Sequence, residues 1–240
     1  MQLTIDTSSQ KIGIALSRDE RNITGYSWLS QENHTRELTP GIIKLLKENN
    51  ANIQDINCII IARGPGSFNG LRVGMSVAKG LALALNVPLI GISTLAAEAY
   101  ALAGTTTSLV CPLHEAGRGE IAAAIFQMEK ASLQQFREEH ITTVEQLHLE
   151  ENSNFIFCGE ITAKLAGQTK NIFGNNTQIT PLPDSVCRAT LIAQLGWQRF
   201  KNNDYDNPTT LQPLYLRRPP ITRPKADKRI IMQIKSSEEE

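Results

Sequence analysis

Few residues in this chain have the types and spacing that chemistry needs, and the best candidates lie in two short stretches. The first is Asp6-Thr7-Ser8-Ser9, a carboxylate followed by three hydroxyls. Backbone N–H groups and hydroxyls in such a turn can face a phosphate, and the carboxylate can hold a metal through water. The same side chains can equally satisfy the backbone of the turn itself. The second stretch is GPGSFNGLRVG, residues 64–74. It lacks the lysine of a phosphate-binding G-x-x-x-x-G-K-[ST] loop, and Gly64, Gly66 and Gly70 are spaced one residue too wide for a dinucleotide G-x-G-x-x-G. It reads better as a sharp exit from a strand, with Ser67 or Asn69 capping the helix that follows.

Other constellations are missing from the sequence. The four histidines, His34, His114, His140 and His148, include no pair at i, i+4. A nucleophile elbow of the G-x-S-x-G type does not occur. The four cysteines, Cys58, Cys111, Cys158 and Cys187, have no metal-ligand spacing and read as buried, reduced thiols. Lys+Arg and Asp+Glu each number 24, so no net field draws the chain onto nucleic acid. The N-terminus has no basic stretch ahead of an apolar core, and residues 71–85 are too short to span a bilayer, so a cytoplasmic chain is expected.

The elements that must hold these residues alternate between strand and helix. Residues 3–6 and 12–16 form a hairpin, 23–29 a third strand, and a helix follows with Leu38, Ile42, Leu45 and Leu46 at helical spacing. Its start is open between a cap at Asn33 and one at Thr39 ahead of Pro40. Residues 58–62 are a continuous apolar strand, as in a sheet covered on both faces. The glycine loop, a helix to about residue 85 and a strand at 87–92 complete the set. The order then recurs: strands at 107–113 and 120–128 about a Gly-Arg-Gly turn, a third at 133–140, a short helix at 143–149, a strand at 155–158, a helix at 161–166, a strand at 178–180 and a long helix at 185–202. This predicts an α/β fold of two related lobes, each a mixed sheet with helices: 1–103, 104–184, a C-terminal helix and return segment over 185–218, and a charged tail over 219–240. Arg217, Arg218, Arg223, Lys225, Lys228 and Arg229 make the end of the chain basic. That stretch reads as a solvated tail, with RNA contact as the sharper alternative.

The helix 70–85 is unusual. Its polar residues are only Arg72, Ser76 and Lys79, so two faces need cover. Gly70, Gly74, Ala78 and Ala82 form a small-residue stripe where another helix can approach closely, or where the chain's own second lobe can.

MQLTIDTSS with KIGIAL, HTRELTPGIIKLL and GPGSFNGLRVGMSVAKGLALALNVPLIGISTLAA together resemble the TsaB (YeaZ) family. The likeness recurs at RGEI, CGE and PLYLRRP. It implies an actin-like ATPase fold and a role in making threonylcarbamoyladenosine in tRNA. It further implies a catalytically degenerate chain that binds TsaD, the catalytic subunit, through a shared helical bundle, with TsaE, a small ATPase, joining them and tRNA reached through the complex. Leu38, Ile42, Leu45, Leu46, Leu71, Gly74, Met75, Ala78, Leu81 and Ala82 become the expected partner interface, which a homodimer of the free chain can also use. TsaD carries two metal-binding histidines four apart. Their places align with Thr94 and Glu98 here, so no catalytic residue and no metal is expected, and ATP and metal are assigned to the partner subunits. Asp6, Thr7 and Ser8 remain a weak nucleotide-facing turn at most. The alternative is an independent actin-fold ATPase or an M22-type peptidase-like enzyme.

Overall fold

The computed structural model describes residues 1–217 except 32–33, 104–105, 107, 130–131, 150–153 and 175–176. The charged tail, and with it Arg218, Arg223, Lys225, Lys228 and Arg229, lies outside the described residues. Two five-stranded sheets carry the fold. The first holds β1 (Gln2–Asp6), β2 (Lys11–Ser17), β3 (Ile23–Leu29), β4 (Cys58–Gly64) and β5 (Leu89–Ser93) in the order β3-β2-β1-β4-β5. The second holds β6 (Leu109–Gly117), β7 (Glu120–Glu129), β8 (Ser132–Thr142), β9 (Phe155–Gly159) and β10 (Gln178–Pro181) in the order β10-β9-β6-β7-β8. Each sheet is an antiparallel three-stranded meander extended by two parallel strands on its first strand's free side. Two copies of one topology stand in the chain, as the recurring element order predicts.

Strand alternation divides the first sheet between two helix layers. Ile59 and Ile61 of β4 join Leu3, Ile5, Ile12 and Ile14 under α1 (His34–Glu48) and α2 (Phe68–Leu85). Cys58, Ile60 and Ala62 of the same strand face α3 (Thr94–Ala103) and α5 (Arg188–Lys201) on the other side. The second sheet packs its own core around Cys111, Leu113, Phe157 and Leu165, the last from α4 (Ala163–Phe173). No described helix is long and apolar enough to cross a membrane.

Several boundaries differ from the sequence reading. Helix α1 takes the earlier start, at His34, and carries Pro40 in its second turn. Residues 143–149 are turns rather than a helix, closed by Gln146 N–H to Thr143 O and Leu147 N–H to Val144 O. Seven residues that open on the β-branched pair Thr143-Val144 do not propagate a helix. Helix α4 begins later and runs longer than 161–166, because Thr162 caps it by accepting from Leu165 N–H at 3.2 Å.

The larger correction concerns the expected interface. Leu38, Ile42, Leu45, Leu46, Leu71, Gly74, Met75, Ala78 and Ala82 are all buried within this chain, and Leu81 is half-buried against the same core. The small-residue stripe of α2 faces its own sheet. A Cβ at Gly70 would lie 2.1 Å from Thr7 O, and one at Gly74 2.2 Å from Thr7 Oγ1. The stripe therefore lets α2 settle onto the end of β1, and the chain itself provides the cover these residues need.

Candidate functional site

Between the two lobes lies a cleft of about 560 Å³. The β1–β2 turn contributes Ser8 and Ser9, and the entry to α2 contributes Gly66, Ser67 and Phe68. The second lobe contributes His114, Glu115, Glu160 and Thr162, and the segment 214–217 forms the remaining wall. Ser67 sets the position of α2, accepting from Gly70 N–H at 3.3 Å, so of the two candidate caps Ser67 is the one used.

The charged floor of this region is organised by Arg188, the first residue of α5. It continues the buried stripe of that helix, with Ala189, Ile192, Ala193 and Leu195. Its five N–H donors find five acceptors. Nε donates to Asp6 Oδ2 at 2.8 Å, and Nη1 to Glu98 Oε1 at 2.7 Å and Glu160 Oε1 at 2.8 Å. Nη2 donates to Ser8 Oγ at 2.7 Å and Ser9 Oγ at 3.4 Å. Glu98 stands alone as a charge in TLAAEAYALA, at 1% exposure, and its second oxygen meets His114 Nε2 at 2.6 Å. Gly159, at φ +104°, ends β9 beside it; a Cβ there would sit 2.7 Å from Glu98 Oε2. The glycine is what allows the second lobe to close on this carboxylate.

Burial pushes the Asp6 carboxyl up, but the charge and hydrogen bond of Arg188 and two bonds from Ser8 outweigh it and hold its pKa below the ordinary value. Glu98 behaves likewise, lowered against burial by His114 first and Arg188 second. Burial pulls the His114 imidazole down, yet the charge and hydrogen bond of Glu98 leave it above its ordinary value. Asp6, Glu98 and the half-exposed Glu160 thus share the Arg188 guanidinium, and His114 pairs with Glu98, in one connected cluster across the lobes.

That cluster does not fit a metal-bound nucleotide. Asp6 Oδ1 already accepts from Ser8 N–H at 3.0 Å and Ser8 Oγ–H at 2.5 Å, while Oδ2 takes the Arg188 bond. A phosphate or hydrated cation would have to break these buried bonds, and leaving a buried ion unpaired costs about 3–5 kcal/mol. Thr7 does not face the cleft at all, because its hydroxyl donates to Gly70 O at 2.7 Å beneath α2. Of the turn Asp6, Thr7 and Ser8, the structure brings Asp6 and Ser8 together at Arg188 and turns Thr7 away. Glu98 is bound to His114 and Arg188, and Thr94 is buried beside β5. The histidine spacing offered His114 no partner in the sequence; it is 8% exposed and lies at the junction of the lobes.

The outward side of α1 and α2 keeps other apolar residues. Ile43 is 61% and Leu83 65% exposed, with Val73, Val77 and Leu81 half-buried alongside.

Comparison with known proteins agrees with this arrangement. Residues 28–223 match the family model described as TsaD, tRNA N6-adenosine threonylcarbamoyltransferase. The tRNA threonylcarbamoyladenosine biosynthesis protein TsaB of Bacillus subtilis is 29% identical over 82% of this chain and 87% of its own length. The Escherichia coli protein of the same name is 34% identical over 53% of this chain, an alignment that spans 55% of that protein. The solved structure of YeaZ from Pseudomonas aeruginosa superposes with a TM-score of 0.76 at 21% identity, covering 90% of this chain and 99% of that one. The duplicated sheets with helices on both faces are the actin-like ATPase fold. With most of its length matched, the chain belongs to the family of the TsaD model, tRNA N6-adenosine threonylcarbamoyltransferase, and within it is similar to the TsaB proteins.

Proposed function

We propose that this chain is a non-catalytic subunit of the tRNA N6-threonylcarbamoyladenosine transferase complex, supporting a TsaD-type catalytic subunit. One observation carries this reading. The place between the lobes where an actin-like enzyme needs free acids and donors is occupied by Arg188, whose five donors are all engaged. ATP and metal then belong to the partner subunits, a TsaE-type ATPase joins the pair, and tRNA is met through the assembled complex.

The docking surface is the outer side of α1 and α2. Large apolar side chains as exposed as Ile43 and Leu83 on adjacent helices favour a helical partner surface of matching character. Without a partner the same surface pairs two copies of this chain.

The test is light scattering coupled to size exclusion, with a TsaD-type subunit mixed with wild type and with Ile43→Glu/Leu83→Glu. Both positions are exposed, so the variant keeps its fold. Burying a Leu-sized side chain contributes about 1.5–3 kcal/mol, so each substitution weakens the complex by roughly tenfold or more. A variant that binds as wild type does sinks the surface assignment. Turnover of threonylcarbamoyl transfer by this chain alone sinks the non-catalytic reading.

A further inference from the structure

After α5 the chain does not leave the molecule. Residues 206–217 run as an irregular strap from the first lobe to the second, held at discrete points. At its start Asp206 N–H donates to Leu89 O at 2.9 Å, and Asp206 Oδ2 accepts from Gly91 N–H at 2.8 Å and from Arg199 Nη1 at 3.0 Å. Leu211 then enters the first lobe's core, 8% exposed, against Gly91, where an added Cβ would lie 3.1 Å from its Cδ1. Leu214 N–H donates to Arg63 O at 2.6 Å at the end of β4.

The next three residues change partner one by one. Tyr215 packs on Phe68, the first residue of α2, with ring centroids 5.0 Å apart. Arg72, exposed on α2, covers the same Phe68 ring at 4.2 Å. Leu216 packs into the second lobe's cluster of Val110, Ala122 and Phe126. Arg217 pairs with Glu120 at the start of β7. All of 214–217 lines the cleft. The strap is therefore a wall of the cleft, an attachment to α2 and a tie between the lobes within four residues.

We propose that residues 206–217 are an interlobe latch set from α2: Tyr215 seated on Phe68 keeps the strap down and the cleft closed, and a partner that fixes the first turn of α2 fixes the latch. The partner half of this rests on the function proposed above; the latch itself belongs to the isolated chain. The strap joins the first sheet only by an isolated bridge at Asp206 and one backbone bond at Leu214, so beyond them its order depends on these few side-chain anchors, and such segments open at low cost. An aromatic pair stabilises beyond the area it buries, so removing one ring, area included, changes local opening by roughly tenfold.

The experiment is amide hydrogen exchange on the full chain, comparing wild type, Tyr215→Ala and Tyr215→Phe. Tyr215→Ala is expected to speed exchange roughly tenfold in 214–217 and in the β6–β7 turn, 115–121, while β1 and β4 keep their protection. Tyr215→Phe, which keeps the ring, is expected to exchange as wild type. Unchanged exchange in Tyr215→Ala overturns the latch. So does a rise confined to 214–217, because the second lobe is then not tied. A uniform rise across both lobes also overturns it, because the strap is then ordinary core. Adding a TsaD-type subunit is expected to slow exchange of 214–217 in wild type and less so in Tyr215→Ala. A complex that forms without slowing the strap overturns the control from α2. Failure of any complex to form counts against the proposed function instead, and leaves the latch to be judged on the isolated chain.

Discussion

Gly74→Ala is a single-methyl test of what the small-residue stripe of α2 is for. The new Cβ would stand 2.2 Å from Thr7 Oγ1 and 3.2 Å from Ile61 Cδ1. Neither neighbour yields easily. Ile61 is fully buried in β4, and the Thr7 hydroxyl is fixed by its 2.7 Å bond to Gly70 O. Moving Thr7 aside leaves a buried hydroxyl and carbonyl unpaired, at about 1–3 kcal/mol. Forcing the extra carbon into a filled core adds about 1–3 kcal/mol. Against this, alanine is favoured over glycine inside a helix by about 1 kcal/mol. The balance is a loss of about 3 kcal/mol, or a fall in Tm of roughly 6–12 °C for a chain of this size. Gly80 is the control. It lies in the same helix, exposed, with nothing within 4 Å of an added Cβ. Gly80→Ala keeps only the helical gain and is expected to raise Tm by about 2 °C. Urea and thermal unfolding of the isolated chain measure both. If Gly74→Ala stays within about 1 kcal/mol of wild type, the steric argument is wrong. If it is stable but fails to bind a partner, the stripe is an interface after all.

Three further outcomes follow from the site. Arg188→Met strands Asp6 and Glu98 without their shared cation, and urea unfolding at pH 7 should show a loss of about 3–5 kcal/mol. The pH dependence should change sign with that substitution. In wild type the lowered carboxylate pKa values make stability present above the ordinary carboxylate range and lost as pH falls through the folded values. In Arg188→Met the burial of Asp6, its largest single influence, is opposed only by the two bonds from Ser8 and raises it, so acidification should recover stability; unfolding curves from pH 4 to 7 with the same slope in both proteins would refute this. His114, raised by Glu98, contributes stability that is complete below its ordinary pKa and lost as pH climbs through the folded value, so His114→Gln should flatten the wild-type decline above the ordinary imidazole pKa. Burial pushes the Cys58 and Cys111 thiols up to about 12, so a thiol reagent at pH 7.5 should reach them only after denaturant is added.

The repeat was legible because β-strand and helix periodicities differ, and the same succession occurred twice. That α2 needed cover on more than one side was also legible, from its three polar residues. Which side the stripe occupied was not, because small residues permit close approach by a sheet as readily as by a helix, and the sequence does not say which arrives. The charged cluster was missed although it left two marks. Glu98 is the sole charge in an otherwise apolar helix, and Arg188 sits in register with Ile192 and Leu195 on a buried stripe. Each is a charge where burial would forbid one unless it were paired. Joining them required knowing that positions 90 residues apart meet, and that Asp6, 182 residues from Arg188, reaches the same guanidinium. His114 gave no signal for the same reason, since its partner Glu98 lies on another element.

Helix α5 places one condition on how this protein is made. It is the last helix of the described chain, yet it covers the first sheet: Ala189 lies against Gly13, Thr190 against Gly25, and Ile60 against Gly196 so closely that a Cβ there would meet it at 2.6 Å. Cys58, Ile60 and Ile90, on the parallel strands β4 and β5, therefore have no complete cover until residues 188–201 have been synthesised and brought back. During vectorial synthesis the first lobe waits, half-finished, for the whole of the second. A gene fragment ending at the boundary between the sheets would yield a protein with one apolar face of the first sheet open to solvent.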